Sequence, residues 1–228
     1  MKKLIVVLLT VVVVTGIGVA QDKSPWPSWT KDEVDKILNH SPWAHTQIDT
    51  DVSEMTYSPL NSRSTKGSTN QPMSVNYQIR FLSAKPIRQA VARRIELQEK
   101  GNPRVVEELR PFVERDFSSF IVVAVTVDSI DRRFSGPIMQ TFASASPGTW
   151  KNKAYLERKD GQRLFMIDYK APISDGLGAK FIFPRTVDGK PFLSESGSAR
   201  FFLQLTDAVT LNVTYKMSDM YYEGKLEY

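Results

Sequence analysis

The stretch FIVVAVTV, residues 120–127, is apolar at every position except Thr126. A run this short and this rich in β-branched residues reads as a strand, and a strand apolar on both sides must be covered on both faces. It therefore has to pass through the middle of a sheet, with further layers packed against it. Upstream, VNYQIRFLSA at 75–84 alternates, with Val75, Tyr77, Ile79 and Phe81 on one face and Asn76, Gln78 and Arg80 on the other. That is the pattern of a strand with one face in the core.

Beyond the central stretch the chain reads as strand and turn almost throughout. Strands are expected at 137–144, 152–158, 163–169, 179–184, 199–205, 209–216 and 221–227. Asp160-Gly161 and Val187-Asp188-Gly189-Lys190 supply hairpin turns between them. Short strands at this spacing favour antiparallel pairing, so the expected fold class is α+β: predominantly antiparallel β, as a sandwich or barrel-like sheet.

The helices are few. Pro86 opens one whose inner face carries Ile87, Ala90, Val91 and Ile95, with Gly101 as the residue that stops it. Asn102 and Pro103 then restart a second as N-cap and N1, carrying Val105, Val106 and Leu109, with Pro111 kinking or ending it. A helical hairpin at 86–116 thus separates the first two core strands. A third, short helix lies in WTKDEVDKILNHSPW: Thr30 and Glu33 form a capping box, Trp29 and Val34 a hydrophobic staple, and Pro42 ends the element near Asn39 or His40. Helices of about ten residues are marginal alone, so its stripe of Val34, Ile37 and Leu38 must dock on a larger body.

MKKLIVVLLTVVVVTGIGVA, residues 1–20, has the basic start, apolar run and small-residue ending of a signal peptide, with cleavage expected after Ala20. Residues 21–57 then form an N-terminal helical arm, in which 52–57 suits a short strand. The Ser-, Thr- and Asn-rich 58–74 reads as a flexible loop or linker, and 75–228 is the β-rich domain, its C-terminal strand pattern structural. No membrane span is expected once the leader is removed. The chain contains no cysteine, which excludes disulfides, thiolate metal sites and cysteine nucleophiles, so an exported fold must be held by its core. Its 12 Phe and 8 Tyr make such a core available, and a net charge of +5, two units of it from Lys2 and Lys3, is too small to indicate nucleic acid.

Reactive constellations are scarce. His40 and His45 are the only histidines, and their separation of five puts them about 140° apart on a helix and on opposite faces of a strand. They are the metal candidates by residue type, but neither regular geometry converges them. Asp128 and Asp131, followed by Arg132 and Arg133, form the best local carboxylate pair, which as structure would be a strand end with a solvated ion pair. Ser28 and Lys31 fit S-x-x-K by spacing alone. Asp175-Gly176-Leu177-Gly178 lacks the repeated oxygen ligands of a calcium loop and the fingerprint of a phosphate loop, so it reads as a turn. No cofactor is expected. Trp26, Trp29 and Trp43 cluster in the arm, where they either anchor it or offer a partner or ligand contact.

WTKDEVDKILNHSPWA, with YQIRFLSAKPIRQA, FIVVAVTV and the terminal EGKLEY, resembles a group of uncharacterised exported bacterial proteins. The resemblance implies export and carries no activity, ligand or site. The chain thus reads as a non-catalytic accessory or binding protein of the periplasm or cell envelope, whose partner would be an envelope protein or a polysaccharide. Two competing readings remain: a carboxylate-dependent hydrolase of envelope or extracellular polymer using Asp128 and Asp131, and an assembly factor gripping a partner through the tryptophan arm. The histidine spacing makes a prediction: zinc should leave the thermal midpoint unchanged, and a zinc-dependent rise lost in a His40/His45 double alanine variant would contradict it.

Overall fold

A computed structural model describes residues 25–50, 74–100 and 102–228. The leader, the stretch 52–57 and nearly all of the linker fall outside these residues. A 3-10 turn, Trp26–Ser28, leads into helix α1, Lys31–Asn39, and strand β1, Ala44–Asp49. Strand β2, Val75–Phe81, is followed by α2, Lys85–Gln98, α3, Pro103–Val113, and β3, Phe120–Ser129. Next come α4, Arg132–Ser144, and α5, Pro147–Trp150, then strands β4, Ala154–Arg158, β5, Arg163–Phe165, β6, Asp168–Lys170, and β7, Ala179–Pro184. The ribbon β8, Thr186–Val187, and β9, Lys190–Pro191, precedes β10, Ser198–Gln204, and β11, Thr210–Lys216, and a second ribbon, β12, Tyr221–Tyr222, with β13, Lys225–Leu226, closes the order. The fold is α+β, with antiparallel sheets and the helical hairpin between β2 and β3.

The first sheet runs β1-β2-β3-β7-β6, so the strand apolar on both faces is central, as its composition requires. The second runs β11-β10-β4-β5, and the two pack face to face without closing into a barrel. Phe201 of β10 meets Phe181 and Phe183 of β7 at ring distances of 5.7 and 6.4 Å. Tyr215 of β11 packs edge-on to Phe81 at 4.7 Å and donates its hydroxyl to the Ile79 carbonyl at 3.0 Å. At one side the chain itself crosses between layers: Met166 donates to Ala154 in the second sheet and Ile167 to Ile182 in the first. At the other side the Gln47 side chain takes the place of a strand, donating to the Thr210 carbonyl at 2.8 Å and accepting from the Asn212 amide at 2.9 Å.

The short helix forms as its caps dictate. Glu33 N–H donates to Thr30 Oγ1 and the Thr30 amide donates to the Glu33 carboxylate, the reciprocal capping box. It is held down by Arg80, a buried side chain on the outer face of β2. Arg80 donates to the Leu38 carbonyl at 2.6 Å and to Asn39 Oδ1, Thr126 Oγ1 and Gln78 Oε1, all of them neutral oxygens. Burial, and then the neighbouring Arg94 charge, push its pKa down to about 10, so it is still a cation at neutral pH. The carbonyl end of α1 supplies the compensating negative field.

Five features differ from the expectation. Residues 137–144 are helical, not a strand: Asp131 caps α4 by accepting from the Arg133 amide, and Phe134, Ile138 and Phe142, four apart, are buried on one side. The run 163–169 splits into β5 and β6 where it changes sheet, and 221–227 folds back as a hairpin through Glu223 and Gly224, both at positive φ. The left-handed residue ending α2 is Lys100, φ 58°, while Gly101 lies outside the described residues. Pro111 sits inside α3, which runs on to Val113.

The end of the chain ties the N-terminal segment to the hairpin. Ala84, the N-cap of α2, has no side chain with which to cap, and the Glu227 carboxylate accepts from the Lys85 amide in its place. The Glu227 carbonyl accepts from Trp43 Nε1 at 2.8 Å, and the Trp43 ring stands edge-on to Tyr222. Trp43→Ala should therefore lower stability by about 3–5 kcal/mol in urea denaturation, and Trp43→Phe by less, since it keeps most of the packing. A loss below about 1 kcal/mol for the alanine variant would show that this junction does not hold the arm.

Candidate functional site

The residues singled out by type are dispersed into structural roles. His40 is the exposed C-cap of α1, whereas His45 lies in β1 with its ring 4.8 Å from Tyr215, between the sheets. Among the described residues no group of three His, Asp or Glu side chains could hold a metal ion. Asp131 caps α4 and pairs with Arg133, and both the hydrogen bond and the charge of that arginine hold its carboxyl below the ordinary range. Asp128 ends β3 on the exposed side. Ser28 donates to the Pro25 carbonyl, away from Lys31, which pairs with Asp35. Asp175 accepts from the Leu177 amide and pairs with Lys180, an ordinary turn. Trp26, Trp29 and Trp43 are 8%, 4% and 4% exposed, so they pack the arm onto the body and leave little surface for a partner.

A different surface stands out. Along β10 the alternation that sends Ala199, Phe201 and Leu203 into the core sends Ser198, Arg200, Phe202 and Gln204 outward. In register beside them lie Tyr155 and Glu157 of β4, and Phe165 and Arg163 of β5. Phe202 stacks on Tyr155 at 4.7 Å with an interplanar angle of 15°, Phe165 meets Tyr155 edge-on, and the Arg163 guanidinium lies 4.5 Å over the same ring. The stack spacing matches the separation of neighbouring strands, so the rings stand upright from the sheet. Tyr155 is enclosed by this arrangement, while Phe165 is 44% exposed.

On the far side of Phe202 the next strand offers Thr210, Asn212 and Thr214, short polar side chains that are all exposed, with Lys216 at its end. Their size leaves a low polar strip along β11, bordered on one side by Phe202 and Arg200. Its length, from Ser198 to Gln204 along that border, is about 20 Å at about 3.3 Å per residue. At one end, past the Ser198–Lys216 pair, it meets a cleft of about 530 Å³ lined by Arg158, Lys159, Asp160, Ser194, Ser196 and Ser198 among others.

The carboxylates here are each held by arginines. Glu157 accepts from Arg163 through one oxygen and from Arg200 through the other. The Arg163 hydrogen bond, with the Arg200 charge, holds its carboxyl below the ordinary range. Asp160 is lowered in the same way, first by its bond to Arg158. Both carboxylates are therefore ionised acceptors at neutral pH. Charge and aromatic content in the alternation of ARFFLQ, with Phe at two successive positions, is the sequence signal that marks this face.

Comparison with known proteins returns no match: no family model, no curated protein and no solved structure is similar to this chain. No helix among the described residues is long and apolar enough to cross a membrane.

The histidine between the sheets makes a pH prediction. Burial, and secondarily the His40 charge, lower the His45 pKa from its usual 6.5. The folded state thus refuses a proton that the unfolded chain accepts, so stability should be level above about pH 6.5 and fall as the pH drops below it. Urea midpoints from pH 7.5 to 5 for the native chain and His45→Gln check this; identical slopes would contradict it.

Proposed function

We propose that this is an exported, non-catalytic binding protein of the periplasm or cell envelope, and that it holds a glycan chain along β10 and β11. The observation that carries this reading is the outer face of the second sheet, where Phe202 and Arg200 border a polar strip about 20 Å long. A half-buried aromatic such as Phe202 beside polar groups supports an interaction site, because aromatic rings carry much of the apolar area that binding buries. A sugar ring suits it: the C–H groups of one face lie against the negative face of an aromatic ring, and the hydroxyls reach Thr, Asn and Gln side chains at the rim. An extended polar strip fits a chain of such rings better than a compact small molecule.

The hydrolase reading has less support. Glycoside hydrolysis needs one carboxyl kept protonated and a second ionised across the bond. Asp131 is committed to the cap of α4, and Glu157 and Asp160 are both held ionised by arginines. The reading of a partner-gripping arm is weakened by the burial of Trp26, Trp29 and Trp43. The export half of the proposal rests on residues 1–20 and is checked by the N-terminal sequence of protein recovered from a periplasmic or culture fraction, which should begin at Gln21.

Binding is tested by affinity electrophoresis against a set of soluble polysaccharides. Retardation of the native chain should drop by about tenfold in affinity for Phe202→Ala. Asn212→Phe, at an exposed position, should cover the strip and abolish retardation while leaving the fold intact by circular dichroism. Retardation unchanged in both variants would exclude this face.

A further inference from the structure

Resting on that reading, we infer that the glycan is acidic: a polyuronate-type chain whose sugar faces lie on Phe202 and whose carboxylates meet Arg200 and Lys159. The charge balance of the face and its cleft supports this. Arg158, Lys159, Arg163, Arg200 and Lys216 bring five cations, and the carboxylates that pair with them are fewer. Asp160 pairs with Arg158, Asp219 with Lys216, and the single Glu157 serves both Arg163 and Arg200. Both arginines are paired through that one shared carboxylate, and Lys159 makes no ion pair among the described residues. Glu195, between the two cleft serines Ser194 and Ser196 and beside Tyr221, is a fourth carboxylate here, so the surplus is one cation.

The geometry of the shared carboxylate gives the spare donors a direction. Glu157 takes one terminal nitrogen of Arg200 and the Nε of Arg163, and its side chain is 15% exposed against 33% and 50% for the two arginines. The carboxylate lies beneath and the guanidinium edges that remain lie above it, toward solvent. Glu157 thus holds both arginines on this face, Arg200 beside β11 and Arg163 on β5 at the far edge of the sheet, each with donors left over, and a planar fork of donors is suited to a planar carboxylate. Lys159 stands at the mouth of the cleft beside Ser198, two residues along the strand from Arg200. A chain lying on Phe202 and running toward the cleft passes Arg200 first and then Lys159. A neutral glycan would use the ring and the hydroxyls but would leave Lys159 and the spare donors of Arg200 unmatched.

Calorimetric titration of the signal-free chain with an oligogalacturonate, a neutral cello-oligosaccharide of equal length and a polyglutamate peptide separates the possibilities. The expected result is binding of the oligogalacturonate alone, weakened about tenfold by Arg200→Gln and again by Lys159→Gln, and weakened further as salt is raised. The second variant lies at an exposed turn position and guards against loss of fold in the first. Equal binding of the neutral and acidic oligosaccharides, insensitive to salt and to both variants, would overturn the acidic assignment and leave the glycan reading standing. Polyglutamate binding as tightly as the oligogalacturonate, or no binding by either sugar, would overturn both.

Discussion

Phe201 sits between the two sheets with Phe181 and Phe183 against it, and the surface properties of the molecule follow from that contact. A strand has only two sides, so fixing Phe201 inward fixes Phe202 and Arg200 outward; a slip of one residue would exchange the two sets. Leu203 and Ala199, both fully buried, hold the same register from either end of β10. The partner strands repeat the constraint: Leu156 and Leu211 are buried opposite, which leaves Tyr155, Glu157, Asn212 and Thr214 outside. The proposed binding face is thus the obverse of the core, set by the same packing that stabilises the sandwich.

The outer face of the first sheet is treated differently. There α1 covers the end of β2, and Arg80 joins the two by donating to backbone and side-chain oxygens without a carboxylate partner. Placing an uncompensated cation in a buried position is costly, and it is tolerated because several donors are satisfied and the helix carbonyl end lies against it. Trp43 and Glu227 complete the attachment from the opposite ends of the chain. The first sheet thus carries α1 on its outer side, while Phe142 of α4 and Trp150 of α5 pack inward against Phe181, and the outer side of the second sheet carries the aromatic pair Tyr155 and Phe202.

Much of this was legible in the residues. The central strand, the half-buried β2, the capping box of α1 and the hairpin turns at Gly161 and Asp188-Gly189 all follow from local rules and occur where those rules put them. Residues 137–144 were not legible as a helix because Pro137 and the β-prone IMQTF obscure the fourfold spacing of Phe134, Ile138 and Phe142. The split of 163–169 depends on the chain changing sheets, a tertiary event with no local marker. The cap of α2 by Glu227, 142 residues away, could not be read locally either. The site shows the same division: Tyr155, Arg163 and Phe202 are distant in sequence and are brought together by register alone. The histidines and aspartates drew notice through residue type, yet in the fold they serve as cap, strand and turn residues.

If the account is right, ligand contact is confined to one side of one sheet. The most direct measurement is a map of backbone amide shifts by NMR on adding the oligogalacturonate to the signal-free chain. The account predicts perturbations concentrated in Ser198–Gln204, Thr210–Lys216 and the Arg158–Asp160 turn, with α1 and β2 silent. Perturbations centred on α1 and the outer face of β2, with β10 and β11 unchanged, would contradict it.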